Sequence, residues 1–149
     1  MTPAAFAIPG DLDTLTGGYI YEKRLLAGLR ALGYDVAHLR LGASFPDPTP
    51  GDMGDALRQM QAVPPDRPLI LDGFVAGAGT GLEAVRAPMV AMIHHPLAFE
   101  VGLSEARRAH LRATERANVA LVRHVLVPSP ATRDLLVAEY GADPVRITI

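Results

Sequence analysis

Six short apolar runs alternate along this chain with stretches of helical periodicity, and that alternation constrains the fold more than any other feature. Residues 4–8 stop at Pro9-Gly10, and residues 34–41 stop at a loop with three prolines between Gly42 and Gly51. Residues 69–71 stop at Asp72-Gly73, residues 88–93 at His94-His95-Pro96 and residues 125–127 at Pro128-Ser129-Pro130, while residues 146–149 form the last run. A run this short, apolar throughout and bounded by proline or glycine, reads as a strand buried on both faces. Between the runs the period changes. Tyr21, Leu25, Leu29 and Leu32 recur at helical spacing until Gly33, which suits the position just past a helix end. A short helix is expected over 52–62, and a glycine-weakened segment over 73–85 keeps only its end, 82–85, as helix. The longest helix is expected over 105–122 behind the N-cap Ser104, with Ala106, His110, Ala113, Ala117 and Leu121 as its sheet-facing stripe. Ser129 followed by Pro130 starts the last helix, and Gly141 stops it. The order β-α-β-α-β-α-β-α-β-α-β predicts an α/β domain over residues 1–149. Its sheet is doubly wound, mainly parallel and Rossmann-like, of about six strands in the expected order 3-2-1-4-5-6, with helices on both faces.

Composition narrows the function classes. At 49 % hydrophobic and 20 % charged residues the chain folds around a core. A formal net charge of −2 gives no field for nucleic acid. There is no cysteine, hence no disulfide and no thiolate metal site. The first residues, Met1 to Phe6, lack the basic and long apolar regions of a secretory leader, and no apolar run is long enough to cross a bilayer. A soluble cytoplasmic protein is expected.

In a parallel sheet of this type ligands bind at the carboxyl ends of the strands. Four such ends carry polar or glycine-rich residues: Gly17-Gly18, Asp72-Gly73, His94-His95 and Ser129. Bare backbone at Gly17-Gly18, before a helix, lets a phosphate or sugar approach closely; a tight turn needing positive φ is the structural alternative. Asp72 could accept hydrogen bonds from a hydroxylated ligand or simply end its strand in an Asp-Gly turn. As neighbours on a strand, His94 and His95 are expected on opposite faces, one toward the crevice and one packed under the sheet. They therefore cannot share a metal. Glu100 could orient an imidazole or bind a hydroxyl, or be a solvated loop carboxylate. Ser129 is first a helix cap. The glycine run from Gly77 to Gly81 imitates a dinucleotide fingerprint but follows the third strand, and Leu82 replaces its last glycine. Arg108, Arg112 and Arg116 lie four apart and could meet an anionic membrane surface; a solvated face broken by Glu115 is the simpler reading.

Together, several segments resemble the N-terminal domain of family-four glycosyltransferases, which are retaining enzymes of the two-Rossmann-domain GT-B type. They are Gly17-Gly18, Gly33-Tyr34-Asp35-Val36, Leu71-Asp72-Gly73, the stretch from His94 to Glu100, Val127-Pro128-Ser129 with Thr132, Tyr140-Gly141 and Arg146-Ile147. The resemblance covers essentially the whole chain and lies in the order and spacing of the segments. It implies that this domain binds the acceptor, a sugar or lipid-linked molecule, while a C-terminal domain binds the nucleotide-sugar. Gly17-Gly18 would approach the donor's diphosphate and sugar, and a histidine of the pair His94 and His95 would contact the transferred sugar. Asp72, Glu100 and Ser129 join them as candidate substrate-binding residues. The family needs no bound metal in general and no resident cofactor, the nucleotide-sugar being a co-substrate. The family's nucleotide-binding domain is absent from this sequence, so the resemblance implies an acceptor half that depends on a C-terminal domain or subunit and is inactive alone. A non-catalytic α/β ligand-binding or interaction domain is the alternative. A nicotinamide-dependent enzyme is disfavoured by the misplaced glycine fingerprint.

Overall fold

In a computed structural model describing residues 3–149, the chain runs β1 (Pro3–Pro9), α1 (Gly17–Ala31), β2 (Asp35–Leu41), α2 (Pro50–Gln61), β3 (Leu69–Leu71) and α3 (Gly73–Ala78). It continues with β4 (Met89–Met92), α4 (Glu105–Leu121), β5 (His124–Leu126), α5 (Pro130–Tyr140) and β6 (Ile147–Thr148). Met1 and Thr2, the first residues of the stretch read for a leader, lie outside the described residues. The six strands form one parallel sheet, a Rossmann-like doubly wound α/β architecture.

The strand order is β2-β1-β3-β4-β5-β6, not 3-2-1-4-5-6. β3 pairs with β1 through Ala5 and Leu69 and with β4 through Leu71 and Ala91, so it is central. Its three residues are apolar on both faces, which suits the middle of a sheet. β2 exposes Asp35 and Arg40 and half-exposes His38, which suits an edge. The chain therefore winds one way from β1 to β2 and the other way from β3 onward. The switch point falls between β1 and β3, where ligands enter sheets of this kind.

β1 shows how the layers close. Phe6 and Ile8 pack with Leu26 of α1 and Met92 on one face. Ala5 and Ala7 belong to the larger cluster on the other face, with Met60 of α2, Val75 of α3, Val119 of α4 and Leu136 of α5. Helices thus cover both faces, α1 alone on one side.

Two helical stripes differ from expectation. In α1 the core side carries Glu22 and Leu26, flanked by Tyr19 and Leu29, while Tyr21 and Leu32 are exposed. A carboxyl in the middle of that face hides its periodicity. In α4 the expected stripe of Ala106, His110, Ala113, Ala117 and Leu121 faces solvent, and Leu111, Glu115, Asn118 and Val119 are buried. Half of that buried face is polar. Its groups are nonetheless satisfied, since the Asn118 amide donates to the carbonyls of Ala76 (2.8 Å) and Gly79 (2.9 Å). These bonds tie α4 to α3, a helix that the glycine-rich sequence concealed. Its N-cap is Asp72, whose carboxylate accepts from Phe74 N–H at 2.8 Å. Gly73 follows because an added Cβ there would stand 2.9 Å from the carbonyl oxygen of Met92.

Candidate functional site

A crevice of about 270 Å³ opens at the carboxyl ends of β1, β3 and β4, beside the switch point. Gly18, Asp72, His94, His95 and Glu100 border it, five of the seven residues singled out in the sequence. Gly17 is their neighbour but does not line the crevice. Ser129 lies apart, capping α5 by accepting from Thr132 N–H at 3.2 Å. It reaches the site only indirectly, through the Thr132 hydroxyl, which donates to the carbonyl of His94 at 3.3 Å. Phe74 and Leu97 supply apolar wall, and no lysine or arginine borders the crevice.

Gly17 and Gly18 are the first two residues of α1, capped by Thr16, rather than the end of a loop. Neither has positive φ, so the tight-turn alternative does not hold. A Cβ on Gly17 would meet nothing within 4 Å, and one on Gly18 only His94 Cδ2 at 3.8 Å. The protein's own packing gives no reason for glycine at either place. Tyr19 anchors the same turn to the end of β1 by donating its hydroxyl to Pro9 O at 2.8 Å. Burial raises the pKa of that hydroxyl, and the nearby carboxyls of Asp72 and Glu22 raise it further.

The two histidines do not divide between the faces of the sheet. β4 ends at Met92, the chain turns, and both residues border the crevice. Alternation fails because neither residue is on a strand. His94 is half-buried and packs edge-on against Tyr21, with ring centroids 5.2 Å apart. Its Nε2 is shielded and has no partner in the protein. Burial pushes its pKa below the ordinary value, which Asp72 offsets in part, so the ring is neutral at pH 7. His95 is exposed.

Glu22 has no place in the sequence analysis, and Glu115 appears there only as a break in a solvated face, yet both matter here. Glu22 is 1 % exposed, and neither of its carboxyl oxygens has a donor. It meets the Asp72 carboxyl, and burial first, then Asp72, push its pKa up to about 10. Its place three residues after Tyr19 and four before Leu26 was the available signal. Glu115 does not interrupt a solvated arginine face but points inward, 2 % exposed. It accepts from Leu97 N–H at 2.6 Å, Ala98 N–H at 2.9 Å and the Tyr140 hydroxyl at 2.7 Å. Tyr140's pKa is raised by burial and by this carboxylate. Glu115 thereby fixes the turn Leu97–Phe99, which forms one crevice wall. Arg108 clasps the same turn by donating to the carbonyls of Ala98 and Glu100. Arg112 lies over the Phe99 ring and pairs with Glu139, leaving Arg116 exposed. The imitation fingerprint is packing: Gly77, Ala78 and Gly79 are buried against the Leu97 turn and α4.

Among the described residues no cluster of three or more His, Asp or Glu could hold a metal ion, and no helix is long and apolar enough to cross a membrane. No protein-family model matches the chain, and no curated protein matches it either. The fold and the crevice define an α/β protein of the doubly wound Rossmann-like class.

Proposed function

We propose that this chain is the acceptor-binding half of a retaining glycosyltransferase and that the transferred sugar is handled in the crevice between β1, β3 and β4. The observation that carries the reading is the Gly17-Gly18 pair. Glycine is a poorer helix former than alanine, and here no turn or contact within the protein requires it. A close-approaching ligand supplies the missing reason. Asp72 offers an acceptor to sugar hydroxyls, and the neutral imidazole of His94 borders the same crevice. Phe74 and Leu97 suit the C–H faces of a sugar ring. Of the two histidines, His94 is our candidate for sugar contact; His95 and Glu100 sit at the open rim.

In a retaining transfer the difficult step is departure of the nucleotide diphosphate from an oxocarbenium-like sugar. Its charge must be met by fixed donors or cations. Backbone N–H groups of the first turn of α1 can contribute, but no cation borders the crevice. The reading therefore requires a second, nucleotide-sugar-binding domain or subunit, and it places the sugar or lipid-linked acceptor on this half, in the cytoplasm.

The test is sugar transfer by this chain alone and joined to its donor-binding partner, against a panel of nucleotide-sugars. The isolated chain should be inactive. In the complete enzyme His94→Ala should lower turnover by about 10²-fold, with His95→Ala changing it less. Robust transfer by the isolated chain, or wild-type turnover in His94→Ala, would contradict the proposal. The cation-free, largely apolar crevice favours one other reading, a non-catalytic binding domain for a hydroxylated ligand. Sugar binding with no transfer in any combination with a donor domain would select it.

A further inference from the structure

Beneath the crevice lies a carboxyl group that the packing leaves without a counter-ion. Glu22 sits on the core side of α1 at 1 % exposure, and no N–H or O–H donor reaches either oxygen. Lys23, its neighbour, turns outward to Asp13. The Tyr19 hydroxyl is already given to Pro9 O. What Glu22 meets is the carboxyl of Asp72, the crevice floor. Two carboxylates in contact and away from water repel, and they can hydrogen-bond only if one of them carries a proton.

We infer that Glu22 is a positioning residue of the crevice: it stays protonated, donates its O–H to Asp72, and so holds Asp72 as a singly charged acceptor beside His94. The proton belongs on Glu22 because Glu22 is the more buried of the two and has no other donor. Asp72 already accepts from Phe74 N–H, so it is placed as an acceptor on both sides. Held by Phe74 and by Glu22, Asp72 has its free lone pairs for a ligand. The titratable groups gathered around this pair are Tyr19 from α1 and His94 from the end of β4, both neutral at pH 7. The floor thus presents one negative charge with no cation near it, which selects an uncharged hydroxylated group over an anion. The inference rests on the crevice being a ligand site and not on transfer chemistry, since a plain sugar-binding domain would need the same pair.

Infrared spectroscopy of the chain at pH 7 tests this without any ligand. A protonated-carboxyl C=O band should be present in the wild type and lost in Glu22→Gln, whose amide can still donate to Asp72. NMR titration of the His94 ring should give the same midpoint in Glu22→Gln as in the wild type, because the charge does not change. Asp72→Asn should lower it. Hydrogen exchange at Phe74 N–H should rise by about tenfold in Glu22→Met, which cannot donate, and return to the wild-type rate in Glu22→Gln. Absence of the infrared band in the wild type would overturn the inference, a reading that needs no variant to fold. So would a His94 midpoint lowered as far by Glu22→Gln as by Asp72→Asn, or unchanged exchange in Glu22→Met.

Discussion

Glu22 and Glu115 are equally buried, on helices that cover opposite faces of the sheet, and the protein treats them in opposite ways. Glu115 is met by three donors, two from the backbone of the Leu97 turn and one from Tyr140. Glu22 is met by none and touches another carboxyl. A buried carboxylate with donors organises the backbone that supplies them. A buried carboxyl without donors gives up its charge and becomes a donor itself. The first arrangement builds the wall of the crevice and the second supports its floor, so the same side chain performs two tasks according to what its neighbours can offer.

Removing the donors' partner should have the largest effect. Glu115→Leu leaves two buried N–H groups and the Tyr140 hydroxyl unsatisfied, and should cost about 3–5 kcal/mol of stability by denaturant unfolding. A cost under about 1 kcal/mol would mean that the carboxylate does not organise the turn. Gly77→Ala should come next. Its Cβ would stand 2.5 Å from Leu97 Cδ1 and 2.8 Å from Glu115 Oε2. Pushing the turn and its carboxylate apart should cost about 1–3 kcal/mol. The smallest effect belongs to Arg116, an exposed member of the arginine row. Arg116→Ala should stay within about 0.5 kcal/mol of the wild type, whereas Arg108→Ala should loosen the Leu97 turn, visible as faster amide exchange at Ala98.

Much of the fold was legible because it is written in local chemistry. Gly33 and Gly141, at φ 90° and 65°, end α1 and α5, as their places after helical runs imply. Ser104 and Ser129 cap the helices that they were expected to start. The strand ends that gather at the crevice follow from a parallel sheet with all carboxyl ends on one edge. What was not legible depends on partners distant in sequence. The position of β3 between β1 and β4 is a packing choice between a three-residue apolar strand and a longer, more polar β2. The buried faces of α1 and α4 include Glu22, Glu115 and Asn118, whose satisfaction or neutralisation comes from residues at least 17 positions away. Periodicity of apolar residues cannot register such faces. The His94-His95 pair was misplaced by a boundary: β4 stops two residues before His94, and alternation ends with it.

The contrast between the two glutamates is tested most directly by thermal unfolding of the wild type and Glu22→Gln across pH. A carboxyl raised from 4.5 to about 10 on folding keeps in the folded state a proton that the unfolded chain releases. The wild type should therefore lose stability as pH climbs from about 5 toward 10, while Glu22→Gln lacks that decline. His94, whose pKa is lowered on folding, should weaken both proteins alike as pH falls below its ordinary value of 6.5. The difference between the two melting curves should change steadily in favour of Glu22→Gln as pH rises above about 5. Parallel curves, or a difference that moves against Glu22→Gln as pH rises, would show that Glu22 is charged in the folded protein and contradict the account.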